Sequence, residues 1–258
     1  MKVKSNYLYP LATIVLLLVV WQALVTIFQV QSWLLPSPWE IGRTIVSKWD
    51  LLWQHSVYTL SEALLGLILA TGFSLLLAFM MSAIPLLYRS FYPLLVISQT
   101  IPIIVLAPLF LVWFGYGYLP KVLVVILICF FPLVINVLAG FNAADPYLLR
   151  FYQSMGAKPL QMFRRIRLPA VLPYFFGGLR IAATYSIMGA VIGEWLGATK
   201  GIGLLLTRAQ RSYDMPLVFA SIVTIIFWSA VVFLSIRIWE RLMLRWKGEQ
   251  KVKQKTEL

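Results

Sequence analysis

Six apolar stretches, each near the length that crosses a bilayer, constrain this chain more than anything else in it. They run over about 8–28, 60–84, 93–114, 119–141, 172–196 and 217–239. A helix needs about 20 mostly apolar residues to cross the hydrocarbon. Within that layer every backbone polar group has to be satisfied internally, and runs of this length do so as helices. The chain is 61% hydrophobic and 12% charged, where soluble domains hold about 45–50% and about 25%. Such an excess does not fit inside one soluble core. The expected fold is all-α and polytopic, with 1–258 as a single transmembrane domain. The first stretch follows Lys2 and Lys4. It is long for a signal-peptide core and has no small-x-small cleavage site after it, so an uncleaved anchor is expected. Pro102, Pro108 and Pro132 inside the stretches predict kinks.

Six crossings put both termini on one side, and the basic residues say which. The outer segments would carry six of them, Arg43, Lys48, Lys121, Lys200, Arg208 and Arg211. The terminal side would carry fourteen, from Lys2 and Lys4 through the connecting loop 142–171 to the tail 240–258, with Arg180 and Arg237 in or beside spans. Basic loops stay in the cytoplasm, so both termini and the 142–171 loop are expected there, in the inner or plasma membrane. The net charge of +13 is accordingly read as topology, with the lipid bilayer as surroundings and no nucleic acid as partner.

Catalytic constellations are sparse. Cys129 is the single cysteine and His55 the single histidine, which excludes an intrachain disulfide and an HExxH metal site. His55 is expected simply near a membrane surface. Glu62 and Glu194 read as isolated acids in different spans, not as a catalytic pair. Lys200 is followed by Gly201, so the glycines at 197, 201 and 203 do not make a phosphate loop. No catalytic residue, metal or cofactor is expected. Among polar groups at membrane depth, which are costly and often functional, Arg180 is expected to snorkel to the headgroups. Asn136 and Glu194 are the candidate residues of a translocation path. Glu194 either faces a central cavity or marks the membrane edge, and Asn136 could instead bond across helices. Outside, Trp33, Trp39, Trp49 and Trp53 in 30–59 read as an interfacial belt. Residues 197–216 are either a re-entrant loop or a plain connection.

The one long interruption of the apolar pattern, 145–173, reads as a docking elbow. Asp145-Pro146 is a helix start, an acceptor at the N-cap with proline first in the helix. Leu148, Phe151, Tyr152 and Met155 share one face, and Gly156 is placed to end the helix. Pro159 opens a second helix with Leu160, Phe163 and Ile166 on one side and Arg164, Arg165 and Arg167 around it. Pro169 and Pro173 are expected to stop that helix.

At this elbow the chain resembles a family. Gly156, nine residues, then Ile166-Arg167-Leu168-Pro169 is similar to the cytoplasmic signature of ABC importer permeases, EAA-x3-G-x9-I-x-LP. Arg150, Phe151 and Tyr152 stand where that signature has its opening acid and alanines. Leu35-Pro36-Ser37-Pro38, Gly178-Leu179-Arg180 and Glu194-Trp195-Leu196-Gly197-Ala198 resemble the nitrate, sulfonate, taurine and thiamine-precursor branch, so the likeness covers about 8–245. It implies a type I importer permease working as a homodimer. A separate cytoplasmic ABC ATPase subunit would be docked through Phe151, Met155, Gly156, Ala157, Leu160, Phe163, Ile166, Leu168 and Pro169, and an extracytoplasmic solute-binding protein would deliver the solute. Gln99 to Ile104 and Trp113 to Gly117 look more like permeases for a thiamine pyrimidine precursor, with sulfonate, taurine or nitrate as the alternatives. The competing classes are a membrane enzyme, which lacks its constellation, and a lone channel, which has no need of an apolar cytoplasmic elbow.

Overall fold

The computed structural model describes residues 8–244. Lys2, Lys4 and the tail beyond Leu244, with its share of the basic charge, lie outside the described residues. The helices are α1 (Leu8–Ile27), α2 (Pro38–Ser47), α3 (Trp49–Ala83), α4 (Pro85–Ser98), α5 (Ile103–Phe114), α6 (Tyr118–Asn142), α7 (Pro146–Ser154), α8 (Pro159–Met162), α9 (Leu168–Trp195), α10 (Ile202–Arg211) and α11 (Met215–Met243). A π-helical turn, Phe163–Arg167, joins α8 to α9.

The centre of the bundle is α3, α6, α9 and α11. Two apolar helices in a membrane gain little from hydrophobicity alone, so they associate by close packing through small residues. That is how α9 meets α6. A Cβ at Gly178 would stand 3.0 Å from the Pro132 carbonyl oxygen, one at Gly189 3.2 Å from Val125 Cα, and one at Gly193 3.0 Å from Lys121 Cα. Between these glycines, Ala182 is fully buried and its carbonyl accepts from the Cys129 thiol at 3.3 Å. Ala63, Leu67, Phe176 and Ile187 fill the space around them. The α1 helix is apolar all round and exposed along nearly its whole length, with Val25 its buried residue. Such a surface belongs against lipid or protein.

Three expectations change. The stretch 93–114 is not one kinked span. It forms two helices, α4 and α5, that meet at 100°. Pro102 supplies no N–H and sits extended at φ −64, ψ 116, and the residue before a proline is pushed out of the helical region; together they break the helix. Among the described residues five helices are each long and apolar enough to span, six if the bent pair counts as one crossing. Second, α3 begins at Trp49, well before the apolar run at 60, because hydropathy reports depth in the bilayer and not the end of a helix. Third, Pro169 and Pro173 do not stop the second elbow helix. The chain is helical from Pro159 to Trp195, 37 residues. The widened π turn, closed by Leu168 N–H to the Phe163 carbonyl, brings Pro169 in where its missing N–H is not needed.

Between α1 and α3, Ser37 caps α2. Its Oγ accepts from Glu40 N–H at 3.2 Å, and its own N–H donates to Glu40 Oε2 at 2.9 Å, a reciprocal capping box. Ser32 Oγ donates to Glu40 Oε1 at 2.7 Å. The Ser32 hydroxyl first, then the Ser37 N–H, hold the Glu40 carboxyl below its ordinary value. Trp33, Trp39, Trp49 and Trp53 are all exposed, and Trp49 stacks on Trp53 with centroids 6.3 Å apart.

Candidate functional site

The elbow is built from local signals. Asp145 accepts from Tyr147 N–H at 2.8 Å and starts α7. Gly156 ends it at φ +76. Ala157 N–H reaches back to the Tyr152 carbonyl at 3.0 Å, and Gly156 N–H to that of Gln153 at 2.9 Å, the paired bonds of a Schellman close. Lys158 N–H then donates to Gln161 Oε1 at 2.9 Å as α8 begins.

The expected docking residues divide into two groups. Phe151, Met155 and Leu160 stand 58%, 70% and 64% exposed. Gly156 and Leu168 are also exposed, and Ala157 and Pro169 half-buried. Ile166 is 6% exposed, and Phe163 meets Phe79 of α3 edge to face at 5.9 Å. These two hold the elbow to its own bundle. The continuous helix turns Ile166 inward, while Phe163 stays half-buried.

At the end of the bundle opposite the elbow, charges that read as isolated in sequence meet. Lys121, expected in an outer segment, is 7% exposed inside α6, and its ammonium donates to Glu62 Oε1 at 2.8 Å. Glu194, fully buried, lies close enough to Glu62 for the two carboxyls to interact. It accepts from Thr59 Oγ1 at 2.6 Å and from Gly203 N–H at 2.5 Å. Thr59 Oγ1 in turn accepts from Ile202 N–H at 2.9 Å, and His55 Nδ1 from Gly201 N–H at 3.0 Å. Residues 197–216 are thus more than an irregular loop. They carry α10, whose start is clamped onto α3 and α9 by Glu194, Thr59 and His55. Glu194 is buried and bonded at this junction.

Asn136 bonds within its own helix. Its Nδ2 donates to the Pro132 carbonyl one turn back at 2.7 Å, and its Cβ sits where α9 passes at Gly178. Arg180 reaches toward the elbow end of α11. Its Nε pairs with Glu240 of α11 at 3.4 Å. Among the described residues, no group of three or more His, Cys, Asp or Glu could hold a metal ion.

A cleft of about 560 Å³ does open at the α4–α5 break. Ser98 and Gln99 line it from the end of α4, Ile104 from α5, Phe131 from α6, and Tyr185 and Met188 from α9. Sequence reasoning used Gln99 to Ile104 only for a family likeness and passed over Phe131, Tyr185 and Met188, because none is charged and each sits singly in an apolar run. The nearest signal was Gln99-Thr100 ahead of Pro102, a polar pair at the expected mid-depth of a span.

A tightly packed helical membrane bundle with one broken span and an uncovered basic-and-apolar elbow is the form of a transport permease. Residues 63–245 match the family described as "Binding-protein-dependent transport system inner membrane component", and the chain belongs to it. It is thus the permease of an ABC importer, a multi-pass inner-membrane transport component. It is 38% identical over 251 residues to the formylaminopyrimidine transport permease protein ThiX of Halalkalibacterium halodurans, covering 97% of this chain and 100% of that one. The riboflavin transport system permease RibX of Chloroflexus aurantiacus is 36% identical, over 92% of this chain and 89% of its own. The taurine transport system permease TauC of Escherichia coli is 27% identical, over 93% and 90%. In fold, the chain resembles the inward-facing methionine ABC transporter MetNI with a TM-score of 0.60 at 19% identity, over 75% of this chain and 94% of that one.

Proposed function

We propose that this permease moves a thiamine pyrimidine precursor of the formylaminopyrimidine type inward, as a homodimer. An extracytoplasmic binding protein supplies the solute, and a separate ABC ATPase subunit supplies the energy at the elbow. The observation that carries the coupling is the exposed trio Phe151, Met155 and Leu160 at the foot of a helix unbroken from Pro159 to Trp195. Large apolar side chains left bare on a basic elbow ask for a protein partner. A continuous helix transmits displacement without loss, so closure of an ATPase pair on the elbow tilts α9, and with it α6, as one body. The glycine contacts between those two helices leave little room for slippage. The distribution of lysine and arginine supports a cytoplasmic elbow and cytoplasmic termini. The full-length likeness to ThiX favours the pyrimidine over a sulfonate.

The test is purification of the chain from native membranes with whatever subunits accompany it, then uptake into proteoliposomes. ATP-dependent accumulation of formylaminopyrimidine, dependent on a co-purifying ATPase, is the expected result. Uptake of taurine or an alkyl sulfonate in its place, or uptake with no ATPase present, would overturn the proposal.

A further inference from the structure

The cleft at the α4–α5 break has a property that the rest of the surface lacks. Non-helical backbone at membrane depth is tolerated where it is buried in protein or lines a watery cavity, and not against lipid. Residues 99–102 are such a break. They sit opposite Phe131 near the middle of α6 and Tyr185 just past the middle of α9, so they lie deep in the bilayer. Yet Gln99, Thr100, Ile101 and Pro102 are all exposed in the single chain. Transporters often place their solute sites at discontinuous helices at mid-depth.

We infer that the cleft at this break is the solute-binding wall of the translocation path, and that it takes a flat, uncharged heteroaromatic solute, with Gln99 and Tyr185 as polar contacts. This rests on the importer function proposed above. The chemistry of the lining selects the solute. Ile104, Phe131 and Met188 offer broad apolar surfaces, suited to a ring stacked or wedged between them. The Gln99 amide both donates and accepts, and the Tyr185 hydroxyl does the same; together they match the nitrogen and amine edge of a pyrimidine. Among the described residues that line the cleft none is charged. Arg180, the nearby cation of α9, is engaged by Glu240. A sulfonate entering this cleft would lose its hydration with no cation to replace it.

Cysteine accessibility in the assembled transporter, with its ATPase, tests this directly. The native Cys129 is fully buried and gives little background. Gln99→Cys and Met188→Cys should react with a charged thiosulfonate reagent, while Leu76→Cys, on an apolar exposed face of α3, should not. Formylaminopyrimidine should slow both reactions about fivefold or more, and taurine should leave them unchanged. Tyr185→Phe should raise KM for the pyrimidine about tenfold, the size of one lost hydrogen bond, with the maximal rate nearly kept. No reaction at Gln99→Cys would overturn the site, since the break would then be covered by protein or lipid. Protection by taurine would overturn the solute class. If the unmodified transporter takes up no pyrimidine at all, the proposed substrate and the solute class fail together, while labelling at Gln99→Cys still decides where the path runs.

Discussion

The ammonium of Lys121 lies 2.8 Å from a carboxylate oxygen of Glu62, and the two side chains are 8% and 1% exposed. The second oxygen of Glu62 is buried without a hydrogen-bond partner, and Glu194 stands next to it. An ion pair so deeply buried contributes little net stability, but breaking it by removing one member leaves a bare charge. It fixes how α3, α6 and α9 meet at the end away from the elbow.

Lys121→Met should therefore destabilise the chain strongly, by about 3–5 kcal/mol. Adding Glu62→Leu to it should recover most of the loss, because the stranded carboxylate goes with it. Thermal unfolding of the detergent-solubilised protein, read as a double-mutant cycle, measures both. A double mutant no better than the single would show that the pair is not the unit.

Gly201 has φ +123, and a Cβ there would overlap the Glu194 carboxyl. Gly201→Ala is expected to unseat the start of α10 and lower the unfolding temperature clearly, backbone strain alone costing about 1–3 kcal/mol. Gly42→Ala, where a Cβ meets nothing within 4 Å in helix α2, should leave stability unchanged or slightly raised. Equal effects at the two glycines would contradict the clamp.

At the elbow, Gly156 needs a left-handed conformation, φ +76, but has open space around it. Gly156→Val adds about 1–2 kcal/mol of strain without a clash, so the bundle should still form. The turn that aims α8 should change, and co-purification of the ATPase subunit should fall severalfold. Retention of the ATPase with normal uptake would remove the elbow as the coupling element.

Topology is open to labelling. Gln161 and Gln54 are both exposed, one on the elbow and one in the outer turns of α3. Gln161→Cys should react with an impermeant reagent only from the cytoplasm, and Gln54→Cys only from outside. The reverse pattern would invert the chain and move the elbow out of reach of ATP.

Acid should loosen α2. The carboxyl of Glu40 is held below its ordinary value by Ser32 and Ser37. The stability this gives is present above the unfolded value of about 4.3 and is lost as pH falls through the lower, folded value. Ser32→Ala should move that loss to higher pH, as followed by the fluorescence of Trp39. An unmoved transition would mean that the hydroxyl does not hold the charge.

The sequence by itself determined the class of the protein. Membrane depth is a local, additive property, so apolar runs mark the spans without knowledge of their neighbours. The elbow was legible for a similar reason: Asp145, Pro146, Gly156 and Pro159 act on their own few residues, and a Schellman close spans only one turn. Tertiary structure decided everything that depends on distant partners. Lys121 and Glu62 are 59 residues apart, and Thr59 and Glu194 are 135, so nothing within either stretch announces the meeting. The glycine seam between α6 and α9 brings them together, and packing then turned Ile166 inward and Arg180 toward Glu240. The 100° break at Pro102 lies between the two regimes. A proline marks the weak point locally, but the angle is set by what the two half-helices find to pack against.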